Sequence, residues 1–208
     1  MRVINAIIYL VLLLSFSVTA PCATPQVKDM IEPEQCLGGN LDSPIRIEVF
    51  SDFQCTHCRD LFLNTISQVL NEYSSNNKVC VIYREFPLPT NKFSRRAAQY
   101  SKAAQKLGRE QWRIVMHALY ENQSLWSADG SINKVVAKAL TPENYNRLNG
   151  MLQDHAIDEE IAREFSLGEK ARITTTPTLF IYALGKEQRV SGVLPFLALK
   201  KFFDNVLK

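Results

Sequence analysis

Ile45-Arg46-Ile47-Glu48-Val49-Phe50-Ser51-Asp52-Phe53-Gln54-Cys55-Thr56-His57-Cys58 is the stretch on which the fold turns. Its first half alternates in the manner of a strand, with Ile45, Ile47 and Val49 on one face. From Thr56 the period lengthens. Phe62, Ile66, Val69, Leu70 and Tyr73 fall on one stripe of a helix that ends in the polar cluster Ser74-Ser75-Asn76-Asn77. Two cysteines therefore stand where a strand gives way to a helix. Beyond them, 78–86 is strand-like again, rich in Val79, Val81, Ile82 and Tyr83, and closes at Pro87 and Pro89. A strand, helix and strand joined by a short return loop imply a right-handed crossover and parallel pairing.

Outward from this unit the chain turns helical. Ala97, Ser101, Ala104 and Leu107 form one face before Gly108; Trp112, Val115, Met116, Leu119 and Tyr120 form another; Ile132, Val135, Val136 and Ala139 follow a turn at Asp129-Gly130. Thr141-Pro142 is a cap followed by proline at the first helical position, opening a helix with Tyr145, Leu148 and Leu152, and Ile157, Ile161 and Phe165 continue the pattern. After Thr176-Pro177 come a β-rich run, 178–182, a turn around Gly185-Lys186, a short strand near Gln188-Arg189-Val190, and a last helix with Phe196, Leu199, Phe203 and Val206. The order is β-α-β, helical block, β-β-α. It makes an α/β fold in which a helical subdomain, expected at about 91–172, is inserted between two halves of one mixed sheet spanning 44–208.

The 208 residues are 46% hydrophobic and 22% charged, ordinary globular composition for one core, and the net charge of +3 includes no long basic run to attract nucleic acid. Residues 1–23 differ in kind. Arg2 precedes the apolar run 6–14 and small residues lead up to Ala20 and Ala23, the pattern of a secretory signal peptide. Residues 24–43, with Pro25, Pro33 and Gly38-Gly39, read as an N-terminal arm. Export places Cys36, Cys55, Cys58 and Cys80 in an oxidising, periplasmic or otherwise extracytoplasmic compartment where disulfides persist.

Disulfide exchange needs a thiolate at neutral pH, where free cysteine is mostly protonated. Cys55, just before a helix, meets that helix's unpaired N–H groups and positive dipole end. His57 offers a second donor and, when protonated, a charge near the sulfur. Cys58, one turn in, is close enough to close the ring and is expected to be the more buried sulfur. No second close Cys/His pair completes a zinc site, so neither metal nor cofactor is expected.

At this point the segment 50–58 resembles the active-site run of the DsbA-like thioredoxin superfamily, and Thr176-Pro177-Thr178-Leu179-Phe180 resembles that family's cis-proline loop. The resemblance implies a redox pair Cys55/Cys58 aided by His57, and a cis Pro177 facing it. It also implies that Thr176 and Pro177 offer backbone to an extended substrate. The substrates implied are reduced exported polypeptides, and the implied reoxidant is a membrane protein of the DsbB or vitamin-K-epoxide-reductase type. One departure stands out: the family usually places a buried acid six residues before the first cysteine, where this chain has Val49. Glu48 should point to the other face of the strand, so either water or another acid takes that role or proton transfer is slower.

Other readings stay open. A disulfide isomerase or reductase on the same fold, a peptide-binding module in which Cys55–Cys58 is a permanent staple, and a glutathione-dependent transferase all fit the element order. Cys36 and Cys80 are free to form a second disulfide, the alternative being a small buried Cys80 with Cys36 free or linked to Cys22, which survives only the earlier signal cleavage. His117 and His155 read as structural, the stripe Trp112, Met116 and Tyr120 as core, and Phe53 and Trp126 as candidates to line a peptide-binding surface.

Overall fold

The computed structural model describes residues 35–208, so the signal segment expected over 1–23 and the first part of the arm lie outside the described residues. Five strands form one sheet in the order β1-β3-β2-β4-β5. At its centre β2 (Ile45–Ser51) and β3 (Val79–Glu85) pair in parallel, from Ile45 opposite Val79 to Ser51 opposite Glu85. β4 (Thr178–Ala183) runs antiparallel to β2, and β5 (Lys186–Ser191) antiparallel to β4. The helical connection between β2 and β3 begins with α1 (Thr56–Leu61) and continues through a π turn (Phe62–Ile66), α2 (Ser67–Val69) and a second π turn (Leu70–Ser74).

Part of the expected arm is a strand. β1 (Cys36–Gly38) pairs antiparallel with β3 at the edge of the sheet. Three residues, one of them glycine, carry no readable period, which is why sequence patterning missed it. Gly39 explains how the chain lies so close: at φ +73° it passes β3 where an added Cβ would stand 2.2 Å from the Val79 carbonyl oxygen.

The inserted helices run from α3 (Ser94–Leu107) through α4 (Arg109–Glu121), α5 (Gln123–Asp129), α6 (Ile132–Ala139) and α7 (Pro142–Met151) to α8 (His155–Lys170), after which α9 (Phe196–Val206) closes the chain. Thr141 caps α7 as expected, its hydroxyl accepting from the Asn144 N–H at 3.3 Å. One face of the central strands, Ile45, Ile47, Val49, Val79, Val81 and Tyr83, packs with the stripe of the first helix, with Trp112, Val115, Met116 and Leu119 of α4, and with Phe196, Leu199 and Phe203 of α9. Burying such side chains contributes about 1.5–3 kcal/mol each. This is the main core.

The other face is partly ionic. Arg84 donates to Glu48 at 2.7 Å and to Glu164 of α8 at 3.3 Å, and Lys102 of α3 donates to the same Glu164 oxygen at 2.8 Å. All four groups are buried. Glu48 is thus a partner of Arg84 rather than a solvated acid. Removing one member of such a buried set leaves a bare charge and typically costs about 3–5 kcal/mol, so the set fixes where α3 and α8 sit on the sheet.

Candidate functional site

The two cysteines lie where the strand-to-helix reading put them. Cys55 is the N-cap of α1, in an extended conformation, and its carbonyl accepts the Arg59 N–H at 3.1 Å. Its sulfur is half-buried, whereas Cys58, one turn in, is 1% exposed. Only the first sulfur is open to a reagent. Behind Cys58, the Asp52 N–H points at its sulfur at 3.4 Å.

Cys55 faces the loop at Thr176-Pro177, whose peptide bond is cis. The Cys55 thiol donates to the Thr176 carbonyl at 3.4 Å. The Thr176 hydroxyl is buried without another hydrogen-bond partner and lies near enough to the sulfur to favour its thiolate. The loop is anchored on both sides, Thr178 donating its hydroxyl to the Thr175 carbonyl at 2.8 Å and Gly192 its N–H to the Pro177 carbonyl at 2.8 Å.

These contacts separate the two sulfurs chemically. The Cys55 thiol is drawn down to about 5, chiefly by the hydrogen bond from Cys58 and further by Thr176 and the backbone N–H groups of Cys58 and His57, against the opposing effect of burial. Burial pushes Cys58 well up, and its neighbour Cys55 adds to the rise. A stabilised thiolate at the surface and a thiol that keeps its proton behind it suit an attacking or leaving sulfur paired with a resolving one. His57 takes part through its main chain. Its side chain is exposed and makes no hydrogen bond or ion pair among the described residues.

The inserted helices hold this loop. Gln123 of α5 donates its amide to the Phe53 carbonyl at 2.6 Å and to the Cys55 carbonyl at 3.0 Å. The Asp52 carboxylate accepts from the Gln54 and Leu88 N–H groups, each at 2.7 Å, from the Asn91 amide at 3.0 Å, and from the Ser94 hydroxyl.

Sequence patterning missed the polar group set behind Cys58. The Ser51 hydroxyl reaches Cys58 and hydrogen-bonds Tyr120 at 3.0 Å, and Tyr120 in turn hydrogen-bonds Tyr83. Glu85, at the end of β3 beside Ser51, is fully buried, and desolvation raises its carboxyl to about 8. Neither carboxyl oxygen has a partner of full hydrogen-bond geometry, although the Ser101 hydroxyl comes close enough to favour ionisation. Only Tyr120 had been singled out, as core. The signal available was a Glu inside an otherwise apolar strand.

Phe53 and Trp126 do not line a peptide surface: they are 1% and 0% exposed, Phe53 packing on Tyr120 at 4.9 Å between ring centres and Trp126 donating to the Leu119 carbonyl at 2.7 Å. The exposed apolar group beside the cis-proline loop is Val193, next to Gly192. His117 sits on the surface of α4, 3.4 Å from Glu121. Among the described residues no cluster of three His, Cys, Asp or Glu side chains is arranged to hold a metal, and no helix is long and apolar enough to cross a membrane.

Known proteins share this fold. The sequence profile of the family described as Thioredoxin matches residues 32–198. The probable disulfide bond formation protein D of Bacillus cereus is 24% identical over 182 residues, covering 84% of this chain and 79% of that protein. The crystal structure of Wolbachia pipientis α-DsbA1 superposes with a TM-score of 0.66 at 21% identity, covering 81% of this chain and 88% of that one. Oxidised BdbD from Bacillus subtilis gives 0.66 at 18% identity, over 81% and 90%.

Proposed function

The chain belongs to the thioredoxin family, and we propose that this thiol–disulfide oxidoreductase works as an exported oxidase, handing a Cys55–Cys58 disulfide to reduced polypeptides. The observation that carries the reading is the asymmetry of the pair: a half-exposed Cys55 with its thiol drawn down to about 5, set against Thr176, with Cys58 enclosed behind it.

A substrate thiolate attacks the Cys55 sulfur, the bond to Cys58 breaks, and a mixed disulfide forms. Cys58 leaves with the electron pair and needs a proton, because its thiol sits well above the ordinary range. Glu85, raised to about 8, holds a proton at neutral pH and is the acid assigned to supply it, with the hydrogen-bonded hydroxyls of Ser51, Tyr120 and Tyr83 near Cys58 available to pass it on. A second substrate thiol then attacks its own mixed-disulfide sulfur and releases Cys55 as a thiolate, a good leaving group because of its low pKa. Two substrate thiols lose two electrons and two protons. The enzyme takes both electrons, Cys58 keeps one proton and the other goes to solvent.

The cis-proline loop sets Thr176 against Cys55 just before β4, where an extended peptide bound to the sulfur would run along the loop backbone, and the exposed Val193 follows Gly192, which donates to the Pro177 carbonyl. The signal-like segment at 1–23 supports export, and reoxidation falls to a membrane protein of the DsbB or vitamin-K-epoxide-reductase type. Cys58→Ser should accumulate mixed disulfides with reduced substrates while Cys55→Ser forms none, read by non-reducing electrophoresis. Alkylation of Cys58 in preference to Cys55 in the reduced protein would reverse the roles and overturn the mechanism.

A further inference from the structure

Cys36 and Cys80 take no part in this chemistry, yet the fold brings them together. Cys80 sits on β3 between Val79 and Val81, which face the main core, so its side chain leaves the sheet on the side away from α1. Cys36 lies on β1 opposite Ile82, two residues along the same face of β3 from Cys80, in a pairing whose register is irregular between Cys36 and Gly38. The two thiols are close enough to influence each other's ionisation, and both residues are 0% exposed within a small cluster that includes Ile82.

The local sequence serves this approach. Gly38 and Gly39 follow Cys36 directly; a Cβ at Gly38 would stand 2.5 Å from the Leu70 side chain, and one at Gly39 2.2 Å from the Val79 carbonyl. Only a chain without side chains at those two positions lies flat enough on β3 to seat Cys36 beside Cys80. β1 is three residues long and forms the sheet edge, so few backbone hydrogen bonds retain it.

We propose that Cys36 and Cys80 close into a second, non-catalytic disulfide that ties edge strand β1 to β3. The link forms during folding, before both sulfurs are enclosed. One cysteine thiolate attacks a disulfide oxidant of the glutathione type and releases one glutathione thiol; the other cysteine attacks the resulting mixed disulfide and releases the second. Two protein thiols give up two electrons and two protons, and one glutathione disulfide becomes two thiols. The inference takes the oxidising compartment from the proposed function but does not depend on exchange at Cys55–Cys58. Once closed, the bond has no exposed sulfur, and in-line attack by a thiol from solvent is blocked.

The full chain, reduced and unfolded, is refolded in a reduced/oxidised glutathione buffer, its remaining thiols are blocked, and its peptides are mapped without reduction. The expected result is a Cys36–Cys80 linked peptide, in the wild type and equally in a Cys55→Ser/Cys58→Ser variant. In the native protein that link should survive dithiothreitol at a concentration that opens Cys55–Cys58. The Cys36→Ala/Cys80→Ala variant should melt roughly 10 °C lower under non-reducing conditions, the scale expected for closing a loop of this length in a domain of this size, with the Cys55–Cys58 redox equilibrium against glutathione unchanged. Two free thiols at Cys36 and Cys80 under conditions that close Cys55–Cys58, or Cys36 joined to Cys22, would overturn the proposal. The same peptide map reports Cys55–Cys58 separately, so failure of the redox reading is not mistaken for failure of this one.

Discussion

In the reduced protein the Cys55 sulfur carries a charge that the unfolded chain does not hold at the same pH, and the difference is measurable as stability. The folded thiol titrates at about 5, an unfolded one at about 8.5. Between those limits the unfolded state binds more protons, so stability rises with pH and is lost again as pH falls through the folded value. Taken whole, a gap of about 3.5 pH units at about 1.4 kcal/mol each amounts to about 5 kcal/mol. Cys55 is only half-buried, and solvent on its open side screens the interaction to roughly half, leaving about 2–3 kcal/mol. Urea unfolding of the reduced wild type and of Cys55→Ser, in a phosphine reductant from pH 5 to pH 8.5, should show the two curves diverging by that amount, the wild type gaining. The oxidised protein has no thiolate, so the same energy favours reduction of the disulfide and makes it a stronger oxidant by about 40–60 mV. Parallel pH curves for wild type and variant would refute the reasoning, because they would mean the sulfur gains nothing from Cys58, Thr176 and the backbone N–H groups at the helix start.

His57→Ala should leave the Cys55 thiolate titration where it is, since the contact His57 makes with the sulfur is its backbone N–H. Thr176→Val, which removes a hydroxyl with no other partner, should raise it by roughly one pH unit; equal shifts in the two variants, read by ultraviolet thiolate absorbance, would restore a role to the imidazole. Glu85→Gln should stabilise the protein at pH 7, because a carboxyl raised to about 8 by burial must take up a proton to fold there. From an unfolded value near 4.3 this costs about 4 kcal/mol at pH 7 and fades below about pH 4, where both states are already protonated. The same variant should slow mixed-disulfide formation in rapid-mixing experiments, and a gain in stability that persists unchanged at pH 4 would show that Glu85 is not the acid described.

Much of this arrangement was legible in the sequence because its periods are clean. Alternation in 45–50, the β-rich run 78–86, the helical stripe from Phe62 to Tyr73, and the cap at Thr141-Pro142 each reflect a local backbone preference that the tertiary structure does not oppose. The cysteine pair was readable for the same reason, since its chemistry follows from its position at a strand-to-helix junction. What escaped depends on contacts distant in sequence. β1 is too short to show a period and exists because Gly38 and Gly39 let it lie on β3. Glu85 reads as an ordinary polar residue at a strand end until α3 and α8 cover it. Glu48 became a buried partner only because Arg84, two strand positions beyond its direct neighbour Ile82, turns toward it. Phe53 and Trp126, only candidates for a peptide surface on the sequence, are buried against α4.

That last displacement has a physical meaning for the site. An extended, half-exposed N-cap carrying a charged sulfur is a poorly constrained element by itself: the charge favours contact with water, and its low pKa survives only while the sulfur stays beside Cys58, against Thr176 and over the helix terminus. The restraints come from the insertion. Leu88, Asn91 and Ser94, where the chain enters the helical block, donate to Asp52, three residues before Cys55, and Gln123 holds the carbonyls of Phe53 and Cys55 from the other side. With Asp52 and two successive odd-numbered carbonyls fixed, the backbone of Cys55 has little freedom to turn its sulfur toward solvent. The helical block is therefore part of the thiolate's scaffold as well as a cover for the sheet. The backbone that carries the acidic sulfur is thus held by a side chain about 70 residues further along the chain as well as by the helix that follows it.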